Sequence, residues 1–308
     1  MKKNCIVIGS GFASLSAACY LAKDGWNVSV YEKNDSVGGR ASQFVKDGFT
    51  FDMGPSWYWM PDTSDYYQLD KLSPAYKIYF SDDIITIGDS MDKICMEFER
   101  IEPGSSKELK RFIQEAQINY DIAINKIVLR PGLSPLELIT KETILKVDQF
   151  FKTISSQVRK RFKNQKLIST LEFPVLFLGA KPSNTPSFYS FMNFADFGLG
   201  TWHPKGGMYE VIKAMQNLAI ELGVTMHTSM PIDKILVSNG KATGVSSGGK
   251  IFNADVILCG ADYHHSESLL EQKYRQYSES YWDKKVFAPS SLLFYIGFDT
   301  KLKNIEHH

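Results

Sequence analysis

The stretch Asn4-Cys5-Ile6-Val7-Ile8-Gly9-Ser10-Gly11-Phe12-Ala13-Ser14, with Glu32 beyond it, decides how this chain is read. Residues 5–8 form an unbroken apolar run, the pattern of a strand buried on both faces. Gly9-Ser10-Gly11 is a sharp turn. Across Phe12–Lys23, Leu15, Ala18, Cys19 and Leu21 or Ala22 recur on one side, a helical period. Asp24-Gly25 stops that helix, because glycine takes the left-handed backbone on which helices end. Residues 28–31 are a second strand, running into Glu32. Strand, turn, helix and strand make one βαβ unit of about 30 residues.

Such a unit is a nucleotide site. Its two glycines allow a tight turn and let a pyrophosphate approach the backbone. The helix N-terminus offers free N–H groups and a partial positive charge. Ser14 replaces a third glycine and is small enough for close helix–strand packing. Glu32, placed 21 residues after Gly11, suits hydrogen bonds from ribose hydroxyls and repels a 2′-phosphate, which disfavours NADP. NAD and FAD share these features. Gly38-Gly39-Arg40 moves the choice to FAD: the glycine pair lets a longer cofactor pass, and the arginine supplies charge-assisted bonds to a pyrophosphate. Phe51-Asp52-Met53-Gly54-Pro55 reads as another close-approach turn. The expected cofactor-binding residues are Gly9, Gly11, Phe12, Ala13, Ser14, Glu32, Lys33, Gly38, Gly39, Arg40, Gly54, Pro55 and Ile232.

Away from this unit the chain is ordinary, 44% hydrophobic and 22% charged, with a formal net charge of +1 that argues for no nucleic-acid partner. Cys5, Cys19, Cys95 and Cys259 lack metal-site or disulfide spacing and read as reduced thiols, as in a cytosolic protein. No apolar run reaches the roughly 18 residues of a membrane span. A helical middle precedes Gly206-Gly207, a helix to Leu222, an Asn239-Gly240 hairpin turn and an apolar strand ending at Cys259. The expected fold is α/β: a discontinuous Rossmann-like FAD-binding domain (residues 1–70 and 203–262) with an inserted α+β substrate and membrane-associating domain (71–202 and 263–308).

Residues 9–14, Glu32, Gly38-Gly39-Arg40 and residues 48–55 together resemble bacterial-type phytoene desaturases, within the FAD-dependent amine-oxidase-like superfamily. His203-Pro204-Lys205-Gly206-Gly207-Met208, Asn253-Ala254-Asp255-Val256-Ile257-Leu258 and Phe294-Tyr295-Ile296-Gly297-Phe298 resemble later elements of the same family. The resemblance implies FAD as redox cofactor and desaturation of C–C single bonds in a phytoene-like carotenoid precursor. It also implies a longer chain whose C-terminal part completes the flavin site. These residues, ending at His307-His308, then read as the N-terminal two-thirds, with inactivity of the piece alone as the corresponding hypothesis. Alternatives are another carotenoid oxidoreductase (ketolase, isomerase or later-step desaturase) or an amine oxidase. A NAD-dependent enzyme or a non-catalytic nucleotide module leaves Gly38-Gly39-Arg40 and Gly54-Pro55 unexplained.

Such chemistry asks for an apolar, aromatic tunnel beside the flavin. Candidate linings are Trp57, Tyr58, Trp59 and Met60, and Phe188, Tyr189, Phe191, Phe194, Phe197 and Trp202; ordinary core packing is the alternative. No catalytic base is named, and Glu137, Asp148 and Asp196 read as surface or capping acids. A 40-carbon substrate costs on the order of 30 kcal/mol to place in water, so attachment to the cytoplasmic membrane surface is expected. Phe150, Phe151, Ile154, Val158 and Phe162, amid Lys146, Lys152, Arg159, Lys160, Arg161, Lys163 and Lys166, form the candidate helix, with a core-facing helix as the alternative. No metal is expected: adjacent His264 and His265 rarely converge on one ion.

Overall fold

The computed structural model describes residues 2–61, 65–287 and 291–303; the His307-His308 pair lies outside them. The βαβ unit is present as β1 (Asn4–Ile8), α1 (Phe12–Lys23) and β2 (Asn27–Tyr31). β1 runs parallel to β2, with Cys5 opposite Val28 and Val7 opposite Val30. On its other side β1 pairs in parallel with Val256–Cys259, and Thr225–His227 extends the sheet beyond β2. The sheet that begins the chain is therefore closed by segments far along it.

The unbroken apolar run in β1 follows from burial on both faces, because successive strand side chains point to opposite sides. Cys5 and Val7, with Val28 and Val30, pack on Ala18 and Cys19 of α1 and on Ala219 and Val224. Ile6, Ile8 and Tyr31 meet Ile232, Val245 and Leu269 on the opposite face. Val245 belongs to an antiparallel sheet of Lys234–Ser238, Lys241–Ser247 and Lys250–Asn253. Each fully buried Val, Ile or Leu side chain among these contributes roughly 1.5–3 kcal/mol. Asn239 (φ 49°) and Gly240 (φ 72°) form the expected hairpin turn.

The helical middle has its own core, in which Phe98, Phe112, Ile154, Val158, Phe162, Leu167 and Phe197 pack together. This corrects the expected membrane helix. Instead of one amphipathic helix there are two short ones, Asp148–Phe151 and Ile154–Arg161. They are separated by extended Lys152 and by Thr153, whose side chain caps the second. Ile154, Val158 and Phe162 are at most 1% exposed, so this part of the apolar stripe faces protein rather than lipid, while Phe151 is 85% exposed. Its basic side is paired in part: Arg161 with Glu115 at 2.6 Å, Arg159 with Glu172 at 3.3 Å and Lys166 with Asp82 at 2.9 Å. Those acids lie elsewhere in the sequence, out of reach of a local reading. Among the described residues no helix is long and apolar enough to cross a membrane.

Candidate functional site

A cleft of ≈ 770 Å³ opens at the C-terminal ends of β1, β2 and Val256–Cys259. The chain leaves β1 toward β2 on one side, while Val256–Cys259 lies on the other. Ligands bind at such a switch point in α/β sheets. The wall contains Gly9, Gly11, Phe12, Ala13, Glu32, Lys33, Gly38, Gly39, Arg40 and Ile232 from the expected set.

The local geometry suits a pyrophosphate. Gly11 caps α1 without a side-chain hydrogen bond, leaving the first-turn N–H groups toward the cleft. Gly38 N–H donates to the Ser10 carbonyl at 3.0 Å, strapping the second glycine pair onto the first turn. Gly39 has φ +58°, and a Cβ there would lie 3.2 Å from Gly11 Cα. Among the described residues, exposed Arg40 has no ion-pair partner, so its guanidinium is available to an anion.

Glu32 is buried to 5% exposure. One carboxylate oxygen accepts from Ser10 N–H (3.0 Å) and Ser10 O–H (2.6 Å), the other from Asn34 N–H (2.9 Å). A carboxylate has about four acceptor positions, which leaves about one for a ribose hydroxyl. The residues present therefore fit the ADP half of FAD.

Other expected residues are placed differently. Ser14 is fully buried beneath the turn, and a Cβ on Gly260 would collide with its Oγ, so it sets the close packing of α1 on the sheet. Gly54 lies against the Arg40 carbonyl, where a Cβ would overlap the oxygen, and neither it nor Pro55 is in the cleft wall. Pro231, Gly260, Ala261, Asp262 and His265 line the cleft and escaped sequence reading. The available signal was Gly260, directly after a buried strand. His264 instead stacks on Trp282 at 4.8 Å. No cluster of three or more His, Cys, Asp or Glu side chains suited to a metal occurs among the described residues.

A second feature lies close by. Trp57 is three residues past Gly54, within about 11 Å of chain from the Arg40 backbone. It stacks on Tyr76 (5.4 Å) and Trp59 (5.7 Å) and meets the edges of Phe173 and Phe177. Of the expected lining residues, Trp57 and Trp59 join this wall. Phe188 and Phe197 are buried in cores, Tyr58 hydrogen-bonds Tyr67 at 2.7 Å, and Trp202 donates to the Leu199 carbonyl at 3.0 Å. Tyr76, Phe173 and Phe177 were missed, although Phe173-Pro174-Val175-Leu176-Phe177-Leu178 is a conspicuous apolar run.

Asp196 stands beneath the wall and is 1% exposed, which corrects its reading as a surface or capping acid. Tyr76 O–H donates to one oxygen at 2.5 Å and Thr201 O–H to the other at 3.2 Å, while Trp59 Nε1–H donates to Thr201 at 3.0 Å. Burial pushes the Asp196 carboxyl up to about 7, partly offset by its two hydroxyl donors. The folded state thus holds a proton that the unfolded chain, near 3.8, releases. Stability is therefore expected to fall as pH rises from about 4 to about 7, by on the order of a few kcal/mol, and to level off above. Denaturant melts of Asp196→Asn should lack that slope; an unchanged slope would contradict this assignment. Glu137 and Asp148 do behave as capping and surface acids, Glu137 accepting from backbone N–H groups and Asp148 pairing with Lys152 at 2.7 Å.

Comparison with known proteins agrees with this geometry. Residues 12–306 match the family model described as flavin containing amine oxidoreductase. A carotenoid 3,4-desaturase from Haloarcula japonica is 36% identical, across 98% of this chain and 64% of that protein. A zeta-carotene-forming phytoene desaturase from Myxococcus xanthus is 29% identical, across 98% of this chain and 62% of that protein. The chain thus spans less than two thirds of the length of these relatives. A crystal structure of an oxidoreductase from Methanosarcina mazei superposes with a TM-score of 0.60 at 18% identity, covering 91% of this chain and 64% of that one, a likeness of fold. The chain belongs to the flavin containing amine oxidoreductase family, and FAD is the cofactor its cleft fits.

Proposed function

We propose that this chain forms the FAD-binding and substrate-facing part of a carotenoid desaturase that converts C–C single bonds of a phytoene-like hydrocarbon into conjugated double bonds. The observation that carries the reading is the cleft at the sheet's switch point, with Glu32, Gly39 and Arg40 in its wall and an aromatic surface starting at Trp57. FAD supplies, when bound, a two-electron oxidant. The residues of the chain bind and orient. Gly9, Gly11 and the start of α1 take the pyrophosphate, Arg40 balances its charge, and Glu32 holds the ribose. Trp57, Trp59 and Phe177 offer a hydrocarbon a surface free of charge, which suits a substrate with no polar handle. Similarity to two carotenoid desaturases favours this substrate class over an amine. A substrate so insoluble places the enzyme at the cytoplasmic face of the membrane.

Expression of the complete gene in a phytoene-accumulating host tests the reading. Extracts should show phytoene converted to coloured, longer-conjugated products; unchanged phytoene would reject it. Glu32→Ala should reduce the conversion together with flavin retention.

A further inference from the structure

Trp57 stacks on Trp59 and on Tyr76, with the ring planes inclined by 24° in each pair. Both partners of Trp57 end on the same buried group. Tyr76 O–H donates to one oxygen of Asp196. Trp59 Nε1–H donates to Thr201 Oγ, and the Thr201 hydroxyl donates to the other Asp196 oxygen. One carboxyl thus holds two of the three rings, although 120 residues separate Asp196 from Tyr76 and 142 separate Thr201 from Trp59. A stacked ring can slide in its own plane, whereas a hydrogen bond pins one edge of it in direction and distance.

Packing alone gives no reason for an acid at this position. Burying a carboxyl costs free energy that an apolar residue of similar volume avoids. Nor does Asp196 reach a substrate, since both its oxygens are turned to buried hydroxyls. The backbone around it is built for this placement. Phe194–Gly198 is a π-helical turn, in which Leu199 N–H donates to the Phe194 carbonyl at 3.0 Å. Such turns are rare and recur at functional sites. Gly198 permits it, because a Cβ there would overlap the Phe194 ring. Thr201 is fixed as well. Its carbonyl accepts from Leu72 N–H at 3.0 Å, and the next residue, Trp202, exchanges backbone hydrogen bonds with Tyr58 at 3.0 and 3.1 Å. The network is therefore anchored on the side away from the rings, and the rings take their places from it.

We propose that Asp196 is a positioning residue: through Tyr76 directly, and through Thr201 to Trp59, it sets the spacing of the Trp59, Trp57 and Tyr76 rings against which an extended hydrocarbon lies. The role rests on the hydrocarbon-substrate reading. A substrate without polar groups is oriented by the shape of the surface it meets, so ring spacing does what hydrogen bonds do for a polar one. Phe173 and Phe177 meet Trp57 edge-on and extend the surface, with Phe177 54% exposed. Neither has a hydrogen-bonding side-chain atom, so their placement follows that of Trp57.

Two measurements on the full chain test this: aromatic circular dichroism, and binding of diphenylhexatriene, a conjugated hydrocarbon with no polar group. Stacked indoles couple, so the Trp57–Trp59 pair should give a band that Trp59→Phe abolishes. Thr201→Val and Tyr76→Phe each delete one hydrogen bond while keeping side-chain volume. Each should remove most of the band and weaken probe binding about tenfold. Asp196→Asn still offers hydrogen-bonding atoms to both neighbours and should keep probe affinity within about twofold, with the band retained. Ile154→Val, a fully buried substitution elsewhere in the same core, should lower the urea midpoint and leave both readouts unchanged. A wild-type band and affinity in the Thr201 and Tyr76 variants would overturn the proposal. So would equal losses in Ile154→Val, which would make Asp196 a part of the core and nothing more, or losses in Asp196→Asn as large as in Thr201→Val. Failure of the wild-type chain to bind the probe would count against the hydrocarbon reading instead. The band needs no ligand, so it judges the positioning role separately.

Discussion

Gly39→Val is expected to weaken FAD binding at least about a hundredfold, or about 2.8 kcal/mol. Gly39 sits at φ +58°, where an L-residue costs roughly 1–2 kcal/mol and a β-branched one more. A Cβ would also press to 3.2 Å from Gly11 Cα, in the phosphate turn itself. Relief of that contact must lift the 38–40 strap off the turn, breaking the Gly38-to-Ser10 hydrogen bond and moving Arg40. Titration by flavin fluorescence quenching measures the loss, and far-UV circular dichroism checks that the fold survives. Gly39→Ala should fall between. A valine variant with affinity within about threefold of wild type would remove this strap from the cradle.

Phe162→Ala is expected to cost about 3–5 kcal/mol of stability. Phe162 is 1% exposed and meets Phe98 edge-on at 6.1 Å in the helical core. Domains of this kind hold only about 5–15 kcal/mol in total, so the variant should unfold at much lower urea. The same substitution separates two pictures of the 154–162 stripe. A core residue changes the urea midpoint and leaves vesicle partition of the folded protein alone; a lipid-facing residue does the reverse. An unchanged midpoint would return Phe162 to the surface.

These cases show what could be read from the chain and what could not. The βαβ unit was legible because its signals are local: an apolar run, a glycine turn, a helical period and an acid at the end of the next strand. Most of the cleft wall followed from it. Gly260, Ala261, Asp262 and His265 did not, because tertiary pairing with β1 alone brings them to the turn. The 154–162 stripe misled for a physical reason: a helix facing a protein core and one facing lipid have the same periodicity. The deciding facts, Glu115, Glu172 and Asp82 around its cations, are supplied by the fold. Asp196 was misjudged because an acid amid Phe194, Phe197 and Trp202 shows its role only once Tyr76 arrives from another strand.

The pairing of β1 with Val256–Cys259 also sets a timetable for synthesis. The turn that receives the pyrophosphate leaves the ribosome early, but its sheet gains its fourth strand and Gly260 only some 228 residues after β2. At about 5–20 residues per second this is a wait of roughly 11–46 s. During it the apolar faces of β1 and β2 have no complete cover, so the nascent chain is a natural client for chaperones. Flavin loading then waits until Val256–Cys259 and Gly260 have emerged, rather than following the turn itself.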